Sequence, residues 1–194
     1  MTLRLGVAVS GKGSNLRNLV DRGFDVVAVA TNRASCGAAA FARERGIPLA
    51  ALSQKSFASA EARDIAMRDF FREHSVDLVV DAGYDRIHTQ PLLVEFENRI
   101  INVHPSLLPA FAGGMDAVER ALESGASATG ATVHVVTADL DAGPVLVQEQ
   151  VAIIEGDTVE TLQLRVHEAE HRILPRAIRI MEVRLAKSPA VGQR

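Results

Sequence analysis

Short apolar runs rich in β-branched residues alternate with amphipathic stretches along the first hundred residues. "LRLGVAVS" (3–10), "FDVVAVAT" (24–31) and "IPLAAL" (47–52) read as buried strands, and so do "VDLVVDAG" (76–83) and "NRIINVH" (98–104). Between them, "CGAAAFARERG" (36–46) predicts an Ala-rich helix closed by Gly46. "SAEARDIAMRDFFREH" (59–74) carries Ala62, Ile65, Ala66, Phe70 and Phe71 at helical spacing. A helix is predicted to start near Ser14, and another around "QPLLVEFE" (90–97). Such strand–helix alternation implies right-handed crossovers and a mostly parallel sheet covered on both faces.

The pattern changes after residue 125. "GATVHVVTAD" (130–139) and "PVLVQEQVAI" (144–153) are strand-like runs joined by "LDAGP", which predicts an antiparallel pair ending the sheet. A long helix follows over 156–186, with Asp157 and Glu160 as its expected cap, a buried stripe from Val159 to Met181, and a kink at Pro175. "KSPAVGQR" reads as a frayed tail. The fold class expected is therefore α/β: three layers around a twisted, mostly parallel sheet, with an antiparallel C-terminal strand pair and a long C-terminal helix.

Composition narrows the function. The chain has 194 residues, 47% of them hydrophobic, and a net charge of −3, so it suits one compact domain and carries no basic field for nucleic acid or membrane. A lone cysteine, Cys36, excludes an internal disulfide and a Cys-based zinc site. The N-terminal apolar run is too short for a signal peptide, and no stretch approaches the roughly 20 apolar residues of a membrane span. A cytoplasmic protein is the expectation.

Two segments carry candidate chemistry. "GVAVSGKGSN" (6–15) follows Walker A spacing up to its last position, where Gly13 replaces the magnesium-binding hydroxyl, and Leu16 breaks the dinucleotide fingerprint. A nucleotide-hydrolysis loop therefore ranks low. A plain glycine-rich turn and a phosphate cradle, with Ser14 or Asn15 capping the helix and Lys12 pointing to solvent, explain the loop equally well. In "NRIINVHPSLLPAF" (98–111), Asn102 and His104 stand two apart at a strand's C-terminal end, where open α/β sheets bind ligands. Pro105 and Pro109 brace the loop beyond that strand. An amide beside an imidazole suits an oxyanion, and Asp141 in the "LDAGP" turn is placed to orient the imidazole or relay protons. A hydrogen-bonded strand-end histidine and an ordinary turn aspartate are the plain alternatives.

"SGKGSN", "INVHPSLLPAF", "GATVHVV", "LDAGPVLVQ" and "RVHEAEHRILP" together resemble the folate-dependent formyltransferases, in the branch that acts on glycinamide ribonucleotide in purine synthesis. The resemblance implies a Rossmann-like formyltransferase fold forming one domain over 1–194: a phosphate-binding half (1–100), a catalytic and folate-binding half (101–187) and a tail (188–194). It implies transfer of the formyl group of 10-formyltetrahydrofolate, as co-substrate and without a metal, to the amine of glycinamide ribonucleotide. A homodimer is compatible with it, and no nucleic acid or membrane partner is expected. By the same resemblance Asn102, His104 and Asp141 are catalytic, while Gly13, Ser14, Asn15 and Glu170 hold the substrate phosphate and ribose. Asp85, Arg86, Ile87 and Leu93, with Asp141, hold the folate.

Several positions depart from that pattern. Asp81, Asp85 and His88 stand where apolar residues are expected, Ala60 replaces an arginine that Arg63 only partly substitutes, and His167 replaces a Lys or Gln near the phosphate. The 110–116 loop, slightly longer than usual, is expected to form a more flexible lid. The competing readings are 10-formyltetrahydrofolate deformylase, which usually has a second His at the place of Pro105, and a non-catalytic nucleotide- or folate-binding module. Methionyl-tRNA formyltransferase ranks lower still, because it needs a basic tRNA-binding domain.

Overall fold

The period-2 alternation of the strands sorts their side chains onto two buried faces. In β1 (Leu5–Val9), Val7 and Val9 enter one core while Ala8 enters the other. In β4 (Leu78–Asp81), Leu78 and Val80 separate from Val79 in the same way. A computed structural model of the chain describes residues 2–187, so the tail expected at 188–194 lies outside the described residues.

The remaining strands are β2 (Val26–Thr31), β3 (Leu49–Ala51), β5 (Ile100–His104), β6 (Ala128–Val135) and β7 (Val145–Ala152). They form a seven-stranded sheet in the order β3-β2-β1-β4-β5-β6-β7. Pairing is parallel from β3 to β5, whereas β6 runs antiparallel to both β5 and β7, so the predicted fold class holds. One face is covered by α1 (Ser14–Asp21), α2 (Gly37–Glu44), α5 (Ala117–Glu123) and α6 (Val159–Lys187). The other is covered by α3 (Ala60–Glu73) and α4 (Gln90–Glu95).

Two local expectations change. The segment after the 110–116 loop, given no element by the sequence pattern, forms α5, a helix of 7 residues that buries Ala117, Val118 and Ala121 and is too short for its periodicity to stand out. The start of α6 is capped by Thr158 rather than Asp157. Thr158 Oγ1 accepts from Thr161 N at 3.3 Å and Thr161 Oγ1 accepts from Thr158 N at 2.9 Å, a reciprocal box that Asp157 joins by accepting from Thr161 Oγ1 at 3.0 Å. Asp157 also accepts from Ile154 N at 2.8 Å and pairs with Arg165. The helix continues through Pro175 as one element.

Candidate active site

All parallel strands deliver their C-terminal ends to one edge of the sheet, and a cavity of about 870 Å³ lies along that edge. At one end of it the β1–α1 turn brings Gly13, Ser14 and Asn15 to the wall. Gly13 is left-handed at φ 78°, and a Cβ there would stand 2.7 Å from the Ala38 Cβ of α2. Both facts demand glycine, so the hydroxyl of a Walker loop is sterically barred. Gly13 is itself the N-cap of α1, and no side chain caps the helix, contrary to the expectation for Ser14 or Asn15. The first-turn amides of α1 supply the positive end of a helix dipole. Lys12 is exposed, as expected, yet it lines the cavity mouth close enough to His167 to act on it: burial and the Lys12 charge both lower the His167 pKa.

Glu170 of α6 reaches the same end. Its carboxylate accepts from Asn15 Nδ2 at 2.8 Å, and the residue is 5% exposed. Burial pushes its pKa up to about 7, against the opposing Asn15 bond. Asn15 Oδ1 is buried without a partner. Together they offer a carboxylate acceptor and an amide oxygen to a ligand's hydroxyl groups.

Midway along the edge, β5 and the β6–β7 connection build the second cluster. Asn102 is registered opposite His134 of β6, and its Nδ2 lies 3.2 Å from His134 Nε2. His134 Nδ1 donates to the Val135 carbonyl at 3.1 Å. His104 Nε2 donates to the Phe111 carbonyl at 3.0 Å, which leaves Nδ1 facing Asp141 Oδ2 at 3.5 Å. Asp141 Oδ1 stands 3.4 Å from His134 Nε2, so the carboxylate bridges two histidines. Asp141 is left-handed at φ 53°, a conformation that Asp tolerates better than most residues and that turns its side chain back over the sheet edge. The His134 contact, the Gly113 amide at 2.7 Å and the His104 charge lower its pKa to about 2, against burial. His134, which the sequence pattern left without a role, completes this cluster. Its signal was register: a histidine on the strand paired with "INVH".

The 110–116 loop is held rather than free. Arg120 of α5 donates to the carbonyls of Phe111, Ala112 and Gly113, while Asp116 accepts from its Nε at 3.0 Å. Arg120 therefore fixes the segment that supplies the Phe111 carbonyl to His104 and the Gly113 amide to Asp141.

At the far end, Asp85, Arg86 and Ile87 line the cavity, and Ile87 is 65% exposed at its mouth. The Asp85 carboxylate turns away, accepting from Ser10 Oγ and Asn32 Nδ2 and pairing with Arg33 and Arg86, so it ties its loop to the ends of β1 and β2. Leu93 does not join the site. It is partly buried on α4 against the core of that face and is absent from the cavity wall, a correction to its expected folate role. Arg63 is also corrected. It is buried, pairs with Asp64, and donates to Gln54 Oε1 and the Ile87 carbonyl, so none of its charge is left for an outside carboxylate. Asp64 in turn accepts from Thr89 N and Oγ1. Asp81 and His88, two separate departures in the sequence, pair with each other at 2.9 Å.

A profile of the formyl transferase family matches residues 3–178. The chain belongs to the formyl transferase family. It is 42% identical over 180 residues to the phosphoribosylglycinamide formyltransferase of Mycobacterium tuberculosis, covering 90% of this chain and 83% of that protein. It is 39% identical to the trifunctional purine biosynthetic protein adenosine-3 of Bos taurus, covering 92% of this chain but spanning only 18% of that longer protein. Among solved structures, glycinamide ribonucleotide transformylase 1 of Symbiobacterium toebii superposes with TM-score 0.87 at 41% identity, covering 93% of this chain and 87% of that one. Phosphoribosylglycinamide formyltransferase of Bacillus halodurans gives 0.89 at 34% identity, covering 98% and 100%. This formyl transferase thus shares its overall fold with both solved structures.

Proposed function

We propose that this formyl transferase moves the formyl group of 10-formyltetrahydrofolate onto the amine of glycinamide ribonucleotide, as one cytoplasmic domain of purine synthesis. The observation that carries the reading is the shared cavity in which Asn102, His104 and Asp141 face the Gly13–Asn15 turn and Glu170. Its size of about 870 Å³ falls in the range of small-molecule and cofactor sites. The relatives named phosphoribosylglycinamide formyltransferase support the substrate class. Among the described residues, no helix is long and apolar enough to cross a membrane.

Each end of the cavity has a task. The α1 amides and Ser14 bind the ribonucleotide phosphate, while Glu170 and Asn15 take the ribose hydroxyls. The backbone of Arg86 and Ile87 holds the folate, with the Asp85 carboxylate acting only to fix that loop. The amine nitrogen attacks the formyl carbon, a new C–N bond forms, and the bond from that carbon to the folate nitrogen breaks. Asn102 Nδ2 donates to the formyl oxygen as it gains charge, and His104 joins it by turning its Nε2–H from the Phe111 carbonyl to that oxygen while Nδ1 stays on Asp141. Asp141 holds His104 in place and receives the proton shed by the amine, which passes on to the departing folate nitrogen. His134 steadies Asn102 and Asp141 from the neighbouring strand.

The test mixes the protein with 10-formyltetrahydrofolate, with and without glycinamide ribonucleotide, and follows loss of the formyl folate by absorbance. Loss that requires the amine is expected. Loss without it would mean a deformylase, and none in either mixture would mean a binding module.

A further inference from the structure

Among the described residues, no backbone–backbone hydrogen bond ties 111–115 to the rest of the chain. Three side chains hold that segment instead. His104 Nε2 donates to the Phe111 carbonyl at 3.0 Å, and Asp141 Oδ2 accepts from the Gly113 amide at 2.7 Å. Arg120 of α5 donates through Nη2 to the carbonyls of Phe111 at 3.0 Å, Ala112 at 3.3 Å and Gly113. His104 and Asp141 belong to the reacting cluster, whereas Arg120 lies outside the cavity wall.

The segment needs such a hold, because its backbone is strained. Phe111 is left-handed at φ 56°, an uncommon conformation for a bulky side chain. Further along, a Cβ on Gly114 would stand 2.6 Å from Asp116 Oδ1, the oxygen that accepts from Arg120 Nε at 3.0 Å. Glycine there leaves room for the carboxylate that aims the guanidinium across the loop. Asp116 and Arg120 stand four apart at the start of α5, so helix spacing brings them together.

The Phe111 carbonyl is the informative atom. It accepts from His104 and from Arg120, both at 3.0 Å, and a carbonyl oxygen has two lone pairs to do so. As the formyl oxygen gains charge, His104 turns its Nε2–H away from this carbonyl. With His104 as its sole donor, the carbonyl would then be unpaired, and the strained segment would be free to relax and draw the Gly113 amide off Asp141. With Arg120 in place the carbonyl stays paired, so the imidazole leaves at small cost.

We propose that Arg120 is a positioning residue: it keeps the Phe111 carbonyl paired while His104 swings to the reacting oxygen, and so holds the Gly113 amide on Asp141 through the chemical step. The inference rests on the functional reading above. Arg120 acts through His104 and Asp141, and its effect belongs to turnover rather than to binding.

The test compares Arg120→Ala and Arg120→Lys with the wild type. Arg120→Ala is expected to lower kcat by roughly fiftyfold and to leave both KM values within about twofold. Lysine sets one head group against three carbonyls, so Arg120→Lys should fall between alanine and the wild type. In a His104→Ala background the further loss from Arg120→Ala should shrink to roughly threefold, because the donor exchange it serves is gone. In the ligand-free chain, hydrogen exchange of the Gly113 amide should quicken by roughly tenfold in Arg120→Ala, while the amides of β5 keep their wild-type rates. A near-normal kcat in both variants, a loss of full size in the His104→Ala background, or unchanged Gly113 exchange overturns the proposal. A wild-type chain that transfers no formyl group fails the functional reading alone, and the Gly113 exchange still decides whether Arg120 holds the loop on Asp141.

Discussion

Asp81 and Asp141 both stand at the carboxyl edge of the sheet and both face histidine, but they do so in opposite ways. Asp81, at the end of a strand, is closed on His88 at 2.9 and 3.0 Å. Asp141, on a turn in a left-handed conformation, stands between His104 and His134 at 3.5 and 3.4 Å and takes its short bond from the Gly113 amide. A closed pair holds its proton in one place. A carboxylate bridging two rings at longer range leaves room for a substrate atom or water to enter and for a proton to move. Burial alone does not separate a structural pair from a reactive one; the spare distance around the carboxylate does.

The largest effect is expected from breaking the bridged cluster. His104→Ala removes the ring that faces both Asp141 and the Phe111 carbonyl, and kcat should fall by roughly a thousandfold. The unfolding midpoint of this variant, read by circular dichroism, should stay close to that of the wild type. A kcat within tenfold of wild type would remove His104 from the chemistry.

Breaking the closed pair should instead be felt in stability. Asp81→Leu leaves His88 buried and unpaired, at a cost of roughly 3–5 kcal/mol and a midpoint lower by about 10 °C. Replacing both residues by Leu removes the desolvation cost along with the pair and should recover most of that loss. If single and double variants melt alike, the two residues are not energetically paired.

Glu170 extends the comparison to a buried acid with an amide neighbour in place of histidine. Its pKa is raised from 4.5 to about 7, so the folded state favours the protonated form. Stability should therefore fall as pH rises from about 4.5 to about 7 and stay low above that, by roughly 3 kcal/mol. Urea unfolding at pH 5 and pH 8 reads this directly, and Glu170→Gln should abolish the difference attributable to this residue. An equal pH dependence in variant and wild type would place the titration elsewhere. Ligand hydroxyls that donate to the ionised carboxylate would offset the cost.

Most of the scaffold was legible from hydrophobic period alone, because each strand and each long helix buries a regular face. Asn102, His104 and Asp141 were legible because local chain chemistry places them: a strand end, a proline-braced loop and a glycine turn. What escaped depends on pairing across distance. His134 joins the site through β5–β6 register, and Asp81 and His88 looked like two defects in an apolar pocket until the loop folded back to make them one pair. Arg63 looked available in the sequence, but only the packing of α3 against the 87–89 loop reveals its buried partners. The α5 helix was hidden because Arg120 and its loop carbonyls, rather than an apolar stripe, organise the segment before it.

The central claim is that Asp141 handles the proton in formyl transfer, whereas the closed Asp81–His88 pair takes no part in it. The most direct measurement is kcat at saturating formyl folate and glycinamide ribonucleotide for Asp141→Asn beside the Asp81→Leu/His88→Leu double variant. Asn keeps the shape of Asp141 and tolerates its left-handed backbone. The account predicts a loss on the order of a thousandfold for Asp141→Asn, against a loss within about tenfold for the double variant. Equal losses in kcat, or near-normal turnover in Asp141→Asn, would contradict it.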